Sequence, residues 1–83
     1  MPTYTIVLTP DLEDGGYVVT VPALPEVATQ GETREEAIAM ARDAIEGYLA
    51  LLAEDGEEIP DDPAESELVR VDIEMPVVSR QAV

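Results

Sequence analysis

The sequence predicts a small α+β domain in the order β-β-β-α-β: an antiparallel three-stranded sheet plus a fourth strand, with one long helix packed on one face. Three observations predict it. Two runs of β-branched and aromatic residues flank a turn rich in proline and glycine. A capped stretch carries apolar residues at helical spacing. A late run alternates strictly between apolar and mostly charged residues.

Residues 3–9 read as the first strand, with Tyr4, Ile6 and Leu8 on one face and Thr3, Thr5, Val7 and Thr9 on the other. Pro10 to Gly16 is a turn, in which proline stops the ladder and the glycine pair permits positive φ. Residues 17–21 form the second strand and close a hairpin. Pro22-Ala23-Leu24-Pro25 is a stiff corner. Residues 27–30 form a short third strand ended by Gly31.

The helix is expected over residues 34–54. Thr33 is its N-cap, and Glu36 completes a capping box in which each side chain satisfies a backbone N–H at the helix start. Ala37, Ala41, Ala44, Ile45, Tyr48 and Leu52 recur at helical spacing, and Ile38 and Leu49 widen the stripe. Asp55-Gly56 ends it, because glycine accepts the left-handed conformation that closes a helix. Residues 55–67 are an acidic, proline-containing connection. In the fourth strand Val69, Val71, Ile73 and Met75 alternate with Leu68, Arg70, Asp72 and Glu74, the signature of one buried face. Pro76 ends it. The organisation expected is one domain over 1–76 and a short tail over 77–83.

Composition bounds the function. The chain has 83 residues, neither cysteine nor histidine, and 19 acids against four arginines, a net charge of −15. Without cysteine there are no disulfides or thiolate metal sites. Without histidine the commonest general base and metal ligand are missing. The charge disfavours nucleic-acid binding by a single chain and favours steering of a basic protein, although a purely solubilising role is the competing reading. No apolar run is long enough to span a bilayer, and no secretory leader is visible, so a cytoplasmic location is expected. No cofactor is expected.

The motifs Gly16-Tyr17-Val18-Val19, Val21-Pro22-Ala23-Leu24-Pro25, Thr29-Gln30-Gly31-Glu32-Thr33-Arg34-Glu35-Glu36-Ala37 and Ile59-Pro60 follow one another in that order. Together, over residues 4–60, they resemble the HicB antitoxins and their solitary HicB-like relatives. One departure is visible: the family often has Gly-Cys after the second proline, where this chain has Glu26-Val27. The resemblance implies a partial ribonuclease H-like fold, with the fourth strand beside the first. It implies neutralisation of a small basic HicA-like ribonuclease toxin by direct binding, and self-assembly into dimers or tetramers. Many members carry a C-terminal DNA-binding region; residues 76–83 are too few for one, so operator binding is not expected of this chain. The alternative is a solitary HicB-like module acting through self-association or another partner.

Ribonuclease H-like folds often host two-metal nucleases, which need convergent carboxylates including one on the first strand. Strand one has none, and an enzyme is not expected. Asp11 to Gly15 lacks the spacing of a twelve-residue calcium loop and reads as a solvated turn. Tyr17 and Tyr48 read as packing residues. For the partner surface the candidates are Glu57, Glu58, Asp61 and Asp62 around the apolar anchor Ile59, where carboxylates meet arginine or lysine of a basic protein. A solvated linker is the competing reading.

Overall fold

The computed structural model describes residues 2–63 and 67–76. Within them, β1 (Val7–Pro10), β2 (Tyr17–Thr20) and β3 (Ala28–Gly31) form an antiparallel sheet in the order β1-β2-β3, followed by α1 (Arg34–Glu54). The expected α+β order thus holds through the helix.

The β1–β2 hairpin is set by its turn. Asp11 N–H donates to Gly16 O at 2.9 Å and Gly15 N–H to Asp11 O at 2.8 Å, with Gly15 at φ 80° and Gly16 at φ 77°. Two residues on one side oppose one on the other, a glycine-led bulge. The Asp11 side chain also accepts from the N–H of Glu13 and Asp14. From this end the ladder runs through Pro10↔Tyr17, Thr9↔Val18, Leu8↔Val19 and Val7↔Thr20. Inward hydrogen bonding alternates along an antiparallel pair. Because Asp11 donates inward, Thr9 and Val7 do too, and the N–H group of Leu8 faces the open edge. Pro10 therefore lacks a donor only where the ladder needs none.

β1 starts at Val7, later than the expected residue 3. In the same register Ile6 and Thr5 would face Val21 and Pro22, where β2 has already turned. The corner is two successive turns, Leu24 N–H to Val21 O and Val27 N–H to Leu24 O, both at 2.9 Å. They fold Leu24 inward, where it is the largest fully buried side chain. The third strand includes Gly31. A Cβ there would run into the backbone of Ala37, so the close approach of sheet and helix requires glycine.

The α1 cap forms as the spacing predicts, with Glu36 N–H donating to Thr33 Oγ1 at 3.0 Å. The Glu36 carboxylate reaches one residue further back than expected and accepts from the N–H of Glu32. At the other end Glu57 N–H donates to Leu52 O and Gly56 N–H to Ala53 O, with Gly56 at φ 71°. The helix stripe packs Ala37 and Ala41 against Val19, flanked by Ile6, Leu8 and Tyr17. Further along, Ile45 packs with Val21, Leu24 and Val27, flanked by Tyr4, Ala44, Tyr48 and Leu49.

The fourth strand is where structure and expectation part. Residues 67–76 adopt no strand and have no ladder partner among the described residues. The face expected to be buried is open: Val69, Val71, Ile73 and Met75 are 66%, 70%, 73% and 77% exposed. The alternation gives the segment an apolar side, and nothing among the described residues covers it. The partial ribonuclease H-like arrangement, which needs that strand beside β1, is not completed among the described residues. The expected tail, 77–83, lies outside the described residues, as do Met1 and residues 64–66.

Candidate partner-binding surface

Chain direction after the helix decides what the acidic connection can do. Gly56 turns the backbone out of α1, and the chain returns to the start of β1. There the Tyr4 hydroxyl donates to Pro60 O. Thr5 donates twice to one oxygen of Asp62, from N–H at 2.8 Å and from Oγ1 at 2.7 Å. Hydrogen bonds to a charged acceptor are the stronger kind, and together these two bolt the return segment to the sheet.

The candidate residues therefore separate into two groups. Asp62 is half-buried and committed to Thr5, so its carboxylate serves the fold. Glu57, Glu58 and Asp61 are exposed, and Ile59, at 36% exposure, stands between them as a partly open apolar anchor. Three acids around one aliphatic side chain is an arrangement that a basic surface with an apolar notch would fit.

Two residues that the sequence did not assign to the partner surface, Glu26 and Tyr48, extend this edge. Tyr48 donates to Glu26 Oε1 at 3.2 Å. Partial burial, with the Glu26 and Glu57 carboxylates nearby, holds the Tyr48 phenol above its ordinary value. Glu26 and Glu57 thus gather at one tyrosine although they are far apart in sequence. The departure Glu26-Val27 divides its labour here: Glu26 takes the Tyr48 hydroxyl and Val27 enters the core. A tyrosine at helical spacing signals packing, and nothing in the sequence pairs it with a corner residue.

Two concave surfaces flank the sheet. One, of about 420 Å³, is lined by Asp11, Asp14, Tyr17, Gln30, Glu32 and Glu36 among others. Asp11 and Glu36 already accept backbone N–H groups, and no group of side chains among the described residues is arranged to hold a metal ion. The other, of about 540 Å³, is an apolar groove between the N-terminal segment and α1. Tyr4, Ile6, Ile38, Ala41, Ile45 and Leu49 line it, with Arg42 and Glu46 at the helix side. No described helix is long and apolar enough to cross a membrane.

Comparison with known proteins agrees with this picture. The profile described as "HicB_like antitoxin of bacterial toxin-antitoxin system" matches residues 4–78. A UPF0150 protein of Thermoplasma acidophilum is 50% identical over 62 residues, 75% of this chain and 88% of that protein. Antitoxin HicB 1 of Photorhabdus laumondii is 49% identical over 57 residues, 69% of this chain but 36% of its own length. Antitoxin HicB of Escherichia coli K12 is 46% identical over 57 residues, 69% of this chain and 41% of that protein. The match spans less than half the length of these two antitoxins, and nearly all of the UPF0150 relative. Membership in a family of antitoxins implies a non-enzymatic role. By profile and by relatives alike, this chain belongs to the HicB-like antitoxin family of bacterial toxin-antitoxin systems.

Proposed function

We propose that this chain is the antitoxin of a type II toxin-antitoxin pair, acting in the cytoplasm on a small basic HicA-like mRNA-cleaving toxin by direct protein–protein binding. The observation that carries this reading is the acidic edge after α1 on a chain of net charge −15. There Glu57, Glu58 and Asp61, all exposed, flank Ile59 along the chain, and Glu26 and Tyr48 extend the edge. A field of this sign speeds encounter with a positive protein, and the apolar anchor gives the encounter a place to settle. The charge stands against polyanion binding, so covering the toxin's own RNA-binding surface is the mechanism favoured over competition for RNA.

The test is a salt series of association rates with a basic HicA-like protein. Glu57→Lys, Glu58→Lys and Asp61→Lys together should slow association about tenfold or more at low salt and flatten its salt dependence. Unchanged rates across the series would remove the acidic edge from the interface. A second reading, a solitary module that works through self-association, is favoured by one observation, the uncovered apolar face of residues 67–76. The two readings are compatible, since an antitoxin that forms dimers or tetramers uses both surfaces.

A further inference from the structure

We propose that Tyr4, Thr5 and Asp62 are positioning residues for partner binding. They clamp residues 57–62 against the start of the sheet, and so hold Glu57, Glu58, Ile59 and Asp61 in the arrangement that a basic partner meets. This rests on the reading of the acidic edge given above and names what keeps that edge in shape. The segment is fixed at both ends. At the helix end Glu57 N–H donates to Leu52 O at 2.9 Å and Gly56 N–H to Ala53 O at 3.1 Å. At the sheet end the Tyr4 hydroxyl donates to Pro60 O, and Thr5 donates twice to Asp62. Donor and acceptor at the sheet end lie 56 and 57 positions apart in sequence, so these bonds exist only once the chain has folded. The residues proposed to meet the partner lie between or beside the two anchors.

The composition of the segment explains why a clamp matters. Glu57, Glu58, Asp61 and Asp62 crowd four acids into six residues, and like charges this close repel. A free chain of this kind spreads over many conformations, and binding it costs the free energy of ordering it. Held at both ends, the segment is ordered before the partner arrives. Pro60 adds stiffness by fixing φ within it, and its carbonyl is the one that Tyr4 takes.

The four acids divide their labour. Asp62 is half-buried, with one oxygen taken by two donors, while Glu57, Glu58 and Asp61 are exposed. Ile59, an aliphatic side chain at 36% exposure, is kept among them. A solvated linker needs charge but no fixed place, so solubility alone asks for no such division. The same bonds also steady the fold. Positioning differs from plain stabilisation in one respect: it acts through the three exposed acids, so its benefit to binding disappears when their charge is reversed.

The test alters the clamp without touching the edge. Tyr4→Phe with Thr5→Val removes both hydroxyl donors, yet leaves residues 57–62 and the net charge of −15 as they are. Against the basic HicA-like protein of the charge-reversal series, this double variant should raise Kd roughly tenfold. The salt slope of association should stay the same, because the charge is the same. Thr5→Ser, which keeps both donors to Asp62, should bind as the unaltered chain does. In a chain already carrying Glu57→Lys, Glu58→Lys and Asp61→Lys, the double variant should weaken binding no further. Circular dichroism checks its helix content; should that fall, Thr5→Val alone, at an exposed position, makes the same comparison at about threefold. An unchanged Kd, while charge reversal still slows association, would overturn the positioning role and leave the acidic edge standing. An equal loss in the normal and charge-reversed chains would overturn it in favour of general stabilisation. Charge reversal without effect would overturn the underlying reading and this inference together.

Discussion

Helix α1 and residues 67–76 carry the same kind of message in opposite settings. Each is amphipathic, one at the period of a helix and one at the period of a strand. The stripe of α1 is covered, with Ala37 and Ala41 at 0% and 1% exposure, whereas Ile73 is 73% exposed. The difference lies in what surrounds each. α1 is stopped at both ends by its own sequence, through Thr33 and Glu36 before it and Gly56 after it, and the sheet lies within reach. The late segment has no such local stops besides Pro76, and its apolar side meets no surface among the described residues. Periodicity states which side of an element wants cover; it does not state which molecule supplies it.

Substitutions in the core that covers α1 and in residues 67–76 should therefore differ most. Gly31→Val forces a side chain into the Ala37 backbone, and Leu24→Ala empties the largest fully buried position. Leu24→Ala should cost about 2–5 kcal/mol in urea unfolding, and Gly31→Val at least as much, a large part of the stability of so small a domain. Ile73→Ala, measured at concentrations where single chains prevail, should cost less than about 0.5 kcal/mol. A cost for Ile73→Ala comparable to that of Leu24→Ala would erase the contrast and place residue 73 in a covered core.

A second expectation sharpens the contrast at the helix start. Thr33→Ala removes the acceptor for Glu36 N–H and should cost about 1 kcal/mol, read from the same unfolding curves. Next comes the bolt between the regions. Asp62→Ala frees Thr5 of both its hydrogen bonds and should speed exchange of the Thr5 amide severalfold, with a loss of roughly 1 kcal/mol. An unchanged Thr5 exchange rate would show that the return segment is held by other means.

Much of the fold was legible from sequence because its determinants are local. The glycine pair, Thr33, Glu36 and Gly56 each fix a turn or a helix end through neighbours a few residues away. What escaped depends on distant parts of the chain. Nothing near Leu24 says that two turns will fold it into the core, since that depends on where α1 lies. Asp62 reads as one more acid in an acidic run, and only the return of the chain to Thr5 makes it structural. Glu26 and Tyr48 meet for the same reason. The exposure of Glu57, Glu58 and Asp61 was readable because charged side chains ordinarily stay in water unless they are paired.

The smallest effect concerns Tyr48. Its phenol is held above the ordinary tyrosine range by partial burial and by Glu26 and Glu57. The folded state thus favours the protonated phenol. The stability this gives is complete below the unfolded value near pH 10 and is lost as pH rises through the folded one. In ultraviolet titration one tyrosine should ionise late, and Glu26→Gln should bring it earlier.

Amide hydrogen exchange over a range of protein concentrations bears most directly on the contrast between the two regions. Amides of β2 and α1 should be protected to the same degree at every concentration, while those of residues 68–75 should exchange freely in dilute solution. Slow exchange of residues 68–75 at the lowest concentration would contradict it.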